Sequence, residues 1–325
     1  SFSADMAIGA ENGVANNEAV AAAYSFQIDL TTSFTGEDSL DISIDAGNAD
    51  SGTASGSTAS PLLEFDPNTG SDALTVDGIS YTFPLGDKTT VIVGDNTDGS
   101  ALFTLACAYG GASNTLDDCG APKAGITGGG VTVGASYDIG GGFSAAAGFQ
   151  FVETGIATKE TNDVYAFNVA YTADTYGASV TYANTEDYSG DDDRNFLGLN
   201  GYWTPSDTGS VPSISAGYEV GSAEGLSDLT QWFVGLQWDE VGPGTFGTAV
   251  GTVGASTDTA PTVVGSGNGD PELIMYEAFY SYALNDGVTI TPLVYYKETT
   301  SGISPHNPNG DDDLVGLMLK TSFSF

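Results

Sequence analysis

The chain has few side chains that could do covalent or metal chemistry. It holds two cysteines and one histidine among 325 residues. Cys107 and Cys119 lie in one polar stretch rich in Gly, Ser, Asn and Asp. In an oxidising compartment such a pair closes a local disulfide, worth about 3 kcal/mol in the chain-entropy model. The alternative is two free thiols in a loop. Two thiols and the distant His306 do not complete a zinc set. His306 sits between Pro305 and Pro308, with no Ser or Cys motif beside it, so nucleophilic catalysis has no support. The strings Gly128–Gly130 and Gly140–Gly142 flank strand-like segments and lead into no helix, which fails the context test for a phosphate cradle. The expectation is a protein that is not an enzyme.

The remaining candidates are charges. Asp plus Glu number 43 against 6 Lys plus Arg, a formal net charge of −37. Nucleic acid needs clustered Lys and Arg, and so does docking on anionic lipid, so both are excluded as partners. Self-repulsion on this scale calls for salt screening or bound divalent ions, and points to a saline habitat. Two acidic triplets, Asp191–Asp193 and Asp311–Asp313, each precede a strand. They fit either solvated loop edges or Ca²⁺- or Mg²⁺-bridging positions, although neither has EF-hand spacing. No cofactor is otherwise implied.

The elements that must position these charges show themselves as alternation at period two. Tyr24, Phe26, Ile28 and Leu30 oppose Ser25, Gln27, Asp29 and Thr31; Val131, Val133, Ala135 and Tyr137 oppose Thr132, Gly134, Ser136 and Asp138. One face is apolar throughout, with aromatics near the strand ends, as at Phe143, Phe151, Tyr165 and Tyr171. The other is small or polar. That division suits a sheet with lipid outside and water inside. No run of about 18 apolar residues exists, so no helix could span a bilayer.

Sixteen strands are expected, at 2–11, 24–34, 38–47, 75–85, 88–94, 129–138, 143–152, 164–172, 175–184, 194–204, 212–221, 230–239, 244–253, 273–284, 287–297 and 313–325. Their connections alternate short and long, the outer-membrane pattern of short periplasmic turns and long extracellular loops. A Greek-key sandwich would not sort its loops this way. The fold class is therefore all-β: a transmembrane antiparallel β-barrel spanning 1–325 as one domain. Alternation turns Asp29, Asp41, Asp45, Asp138, Lys297 and Lys320 to the lumen, where excess acid favours cations; the plainer reading is a merely hydrated lumen. The third long loop, 95–128, holds both cysteines with Asp117, Asp118 and Lys123. Folded inward it would narrow the pore and set a field across it. Left outside, it would be a stapled surface loop.

Three stretches resemble a known family. Ser33–Leu40 continuing to Asn48, Tyr81–Lys88, and Glu277–Pro292 with its Thr-Pro inside a strand are similar to cyanobacterial porins that carry an S-layer-homology domain before an OprB-like barrel, the iron-uptake porins. The aromatic-alternating end at Phe323 and Phe325 resembles the barrel-assembly signal of outer-membrane proteins. The resemblance implies a homotrimeric passive channel in the outer membrane of a Gram-negative-type bacterium, a marine cyanobacterium. It would carry inorganic ions and small hydrophilic solutes, and would be inserted by the barrel-assembly machinery. It also implies attachment to the cell wall through an upstream domain outside this chain; the start at Ser1 fits a removed leader or a longer precursor. Two other functions stay open: a channel selective for sugar or ferric species, and a plugged structural or adhesive barrel. In the early signature, where family members carry basic residues, this chain has Glu37, Asp38, Asp41 and Asp45.

Overall fold

A computed structural model describes residues 1–12, 20–48, 63–65, 68, 72–126, 129–156, 163–186, 193–206, 210–222, 228–253, 273–298 and 313–324. Sixteen strands account for most of them. They are β1 (Phe2–Glu11), β2 (Ala21–Thr32), β3 (Ser39–Gly47), β4 (Thr75–Pro84), β5 (Thr89–Asp95), β6 (Val131–Gly140), β7 (Phe143–Phe151) and β8 (Val164–Thr172). The second half adds β9 (Tyr176–Thr185), β10 (Arg194–Trp203), β11 (Ser213–Ser222), β12 (Leu229–Val241), β13 (Gly244–Thr252), β14 (Ile274–Asn285), β15 (Val288–Glu298) and β16 (Asp313–Ser324). Every strand pairs antiparallel with its sequence neighbours, and β1 pairs with β16 from Ser3↔Ser324 to Glu11↔Gly316, which closes the barrel. Closure leaves no unpaired strand edge, the condition for a sheet in lipid.

A ten-residue strand tilted as in outer-membrane barrels spans about 25 Å, the height of the apolar band. The exposed face of the strands supplies that band, with Met6, Ile8, Val169, Val180 and Leu317 pointing outward. Aromatic pairs edge it at both ends. Phe143 packs tilted against Tyr171 and Trp238 against Phe246 beside the short turns, while Tyr165 meets Phe167, and Tyr276 meets Tyr296, towards the long loops. The short turns rely on backbone that favours glycine: Gly242 between β12 and β13 has φ +64°, and Gly140 at the end of β6 and Gly141 and Gly142 after it are all positive.

Most of the expected strand boundaries shift, by one to three residues. β2 begins at Ala21 rather than at Tyr24, and the alanines at its start pair with β1 through Ala23↔Ala7. β3 begins at Ser39, because Asp38 is used by the preceding turn. Its carboxylate accepts from the Ser33 hydroxyl, the Thr35 amide (2.7 Å) and the Tyr81 phenol (2.6 Å). Between β3 and β4 the register shifts at Ser43/Ile44, leaving Asp77 as an extra residue. Such a bulge re-aims side chains and breaks simple alternation.

The packed core of this barrel lies inside it. Tyr109, Leu116, Phe233, Met275, Phe279, Tyr295 and Met318 form one buried cluster, and Ala124, Ile126, Ala166, Ala183, Phe196 and Leu229 form another. Both need the connection between β5 and β6, here L3, to lie in the lumen.

Candidate functional site

L3 crosses the inner wall like an extra strand laid over the others. Its amides at alternate positions donate to side chains on wall strands taken in order round the barrel, with β10 skipped. Thr104 donates to Asn168 on β8 (3.1 Å), Ala106 to Ser179 on β9 (2.9 Å), Ala108 to Ser215 on β11 (2.8 Å) and Gly110 to Gln237 on β12 (2.8 Å). Backbone groups taken out of water must find partners, and here the wall supplies acceptors at the spacing of an extended chain. Tyr109 then points to β14, where its hydroxyl donates to Glu277. The returning limb is held on β10 and β11. Asn200 donates to the Cys119 carbonyl (2.8 Å), and Glu219 accepts from the amides of Lys123 (2.8 Å) and Ala124 (2.6 Å). A disulfide joins Cys107 on the outgoing limb to Cys119 on the returning one.

Lumen-facing glycines make this approach possible. A Cβ on Gly198 would stand 2.8 Å from the Ala124 methyl, and one on Gly251 2.9 Å from Leu116; at Gly217 the Cys119 carbonyl takes the space. Real side-chain atoms do not approach so closely, so the bed of L3 requires residues without side chains.

The connection between β3 and β4, L2, also enters the lumen. Leu63–Phe65 forms one 3-10 turn. Glu64, 2 % exposed, pairs with Lys297 on β15 at 2.5 Å. Phe65 is buried below the Lys320 ammonium, 5.7 Å from the ring centre. L3 and this piece of L2 together cover the wall from β8 round to β16. Lumen-facing Asn168, Ser215, Glu219, Phe233 and Glu277 are all buried beneath them.

The wall from β2 to β5 stays half exposed, and its character is acidic. Asp29 is held by Gln27 (2.5 Å) and Ser43 (2.9 Å), Asp41 by Thr31 and Ser39 (both 2.7 Å), and Asp45 by Thr75 (2.7 Å). These are hydroxyl and amide donors, which orient a carboxylate without neutralising it. Beside them a recess of about 380 Å³ is lined by Asp41, Ser43, Asp77, Ser80, Asn96, Thr97 and Asp98.

The residues expected from sequence fall into distinct places. Asp29, Asp41 and Asp45 share the half-exposed wall. Asp138 is on the lumen face but at the turn end of β6, where it accepts from the Gly140 amide (2.8 Å). Lys297 faces inward yet lies under L2, and Lys320 pairs with Asp5 at 3.4 Å. Asp117 and Asp118 are exposed on L3, whereas Lys123 is half buried on its returning limb. Phe323 is on β16. Phe325, His306, Asp191, Asp192, Asp311 and Asp312 lie outside the described residues; Asp193 and Asp313 stand at the starts of β10 and β16. Among the described residues no set of three His, Cys, Asp or Glu side chains forms a metal cage.

At the outer rim Glu186 follows β9 beside Asp163 and Asp193. Burial, then these two neighbours, raises its carboxyl above the usual range. Glu11, Glu64, Glu219 and Glu277 were not singled out from the sequence. Alternation would have placed three of them inside; their burial depends on loops folding in from far along the chain.

The OprB family of carbohydrate-selective porins matches the chain over residues 1–325. The structure is similar to Pseudomonas putida OprB (TM-score 0.65, 12% identity, all of this chain and 93% of that one). It is also similar to an anion-selective porin from Comamonas acidovorans (TM-score 0.64, 12% identity, all of this chain and 99% of that one). In sequence it is 24% identical to an uncharacterized protein of Nostoc sp. strain PCC 7120; the match takes in the whole chain but 64% of that relative's length.

Proposed function

The chain belongs to the OprB family of carbohydrate-selective porins, and from that premise we propose that it forms a passive outer-membrane pore for small hydrophilic solutes that favours cations and neutral molecules over anions. A porin-type channel needs no bound energy source; the wall chemistry decides what passes. The observation that carries the reading is the half-exposed row of Asp29, Asp41 and Asp45, held by hydroxyls and an amide rather than by Lys or Arg. Carboxylates so placed attract cations and repel anions within a Debye length, about 8 Å at physiological salt, which is comparable to a pore radius. Three such pores in a homotrimer are part of the proposal.

A second reading, selection among sugars, is favoured by the family's description and by the recess. Its Asp, Ser, Asn and Thr groups suit the paired donors and acceptors of a polyol. The lumen aromatics Phe196, Phe233, Phe279 and Tyr295 are buried in loop–wall packing, so they offer no stacking face.

Swelling of proteoliposomes separates the possibilities. Glucose and glucosamine should enter readily and glucuronate, of similar size and opposite charge, more slowly. Equal rates for all three would overturn the charge preference. Saturable block of ion current by one sugar and not its epimers would establish the second reading in place of the first.

A further inference from the structure

We infer that Glu64 and Lys297 are positioning residues that form a clasp: a buried ion pair that seats the Leu63–Phe65 turn of L2 against the tip of L3 and so sets the width of the pore. The inference rests on the pore reading above.

Glu64 makes contacts in two directions. Its carboxylate takes the Lys297 ammonium from β15 and accepts from the Thr115 amide (3.3 Å) and hydroxyl (3.2 Å) at the tip of L3. Its own carbonyl accepts from the Asn114 amide (3.1 Å). One residue of L2 therefore ties the far end of L3 to a wall strand more than two hundred positions away in sequence. Other hydrogen bonds of L3 reach Asp77 on β4, Thr132 on β6 and Ser144 on β7 as well as β8 through β14, and Glu64 links the tip to β15. Phe65 continues the contact, buried in the same cluster as Leu116, Ala7, Ala23 and Met318.

The energetics make the seat conditional on both partners. The Glu64 side chain is 2 % exposed and that of Lys297 16 %. Removing Lys297 leaves Glu64 unpaired in a low-dielectric site, which costs far more than losing an exposed pair, whereas removing Glu64 leaves Lys297 the buried Glu11 carboxylate as its opposite charge. Without Lys297, Glu64 does better in water, and the turn leaves the lumen with it. Without Glu64, the L3 tip loses its hydrogen-bonded link to Lys297 on β15 and keeps the apolar packing of Leu116 in the cluster that includes Tyr295. Either loss widens the pore beside β15, β16 and β1.

The two members have opposite charges, and this separates positioning from simple electrostatics. Single-channel conductance and reversal potential should be compared for the wild type, Glu64→Ala, Lys297→Met and the double variant, with Glu64→Gln keeping side-chain shape. Folded barrels are identified first by β-sheet circular dichroism and heat-modifiable migration. The clasp predicts that both single variants raise conductance by a common factor and that the double variant rises no further. If instead the reversal potentials move in opposite directions and conductance stays at the wild-type level, the residues act only as lumen charges and the inference is overturned. A silent wild type with conducting variants would support a clasp that seals the lumen and would overturn the open-pore reading. A conducting wild type with unchanged variants would overturn the clasp alone.

Discussion

Asp38 shows how much one carboxylate can organise when donors converge on it. The Ser33 and Tyr81 hydroxyls, followed by Thr35, hold its pKa well below the usual carboxylate range. A group whose pKa falls on folding adds stability above its unfolded value, about 3.9, and loses it as pH drops through the folded one. Asp38→Asn should therefore lower the thermal transition of the barrel at neutral pH. The deficit should persist to about pH 4 and shrink below it. A deficit that grew on acidification would contradict this account. Glu186 has the opposite sign. Its raised carboxyl, crowded by Asp163 and Asp193, is unfavourable when ionised. Glu186→Gln should stabilise the rim at neutral pH, and the gain should vanish below the ordinary Glu range, near pH 4. Thermal melts of variant and wild type across pH 3–8 would show a constant offset if the effect were merely steric.

At the scale of elements, the strands were legible; of the loops inside them, L3 was legible as one of two readings, and the inward fold of L2 was not. Each strand declares itself through local alternation between glycine-bearing turns, and that pattern needs no knowledge of the rest of the chain. The half-exposed acids Asp29, Asp41 and Asp45 follow from the same alternation. Asp77 does not, because the bulge opposite Ser43 and Ile44 turns it into the recess against the parity of its strand. Glu64 lay hidden for another reason: a polar connection carries no period, and its partner Lys297 comes from the other end of the chain. One signal was available in the glycines that recur on the inner face, such as Gly198 and Gly217, since they mark where another backbone must lie.

The same geometry predicts what the disulfide does. L3 is placed by its amide contacts to Asn168, Ser179, Ser215, Gln237 and Glu219, and the Cys107–Cys119 bond adds a tether between its limbs. Cys107→Ser with Cys119→Ser should speed amide exchange in L3 by up to about a hundredfold, the equivalent of about 3 kcal/mol of loop entropy. Strand amides should keep their protection. Equal loss of protection in L3 and the strands would mean that the bond supports the barrel as a whole.

At the scale of the whole molecule, the barrel separates two chemistries. Closure of β1 on β16 satisfies the backbone, and the apolar face with its aromatic edges meets lipid. Inside, one wall is buried under L3 and L2 together with its glutamates and Lys297. The other keeps its aspartates half exposed to the solute path. A net charge of −37 makes such an interior costly at low ionic strength, and screening by salt lowers that cost. The claim that rests on all of this is that the exposed wall, rather than the covered one, sets what the pore admits.

Reversal potential across a potassium chloride gradient in a planar bilayer tests that claim most directly. The wild type should show stepwise openings with a potential on the potassium side, and replacing Asp29, Asp41 and Asp45 together by Asn should move it towards zero without closing the channel. A potential on the chloride side in the wild type, or one left unmoved by the triple replacement, would contradict it.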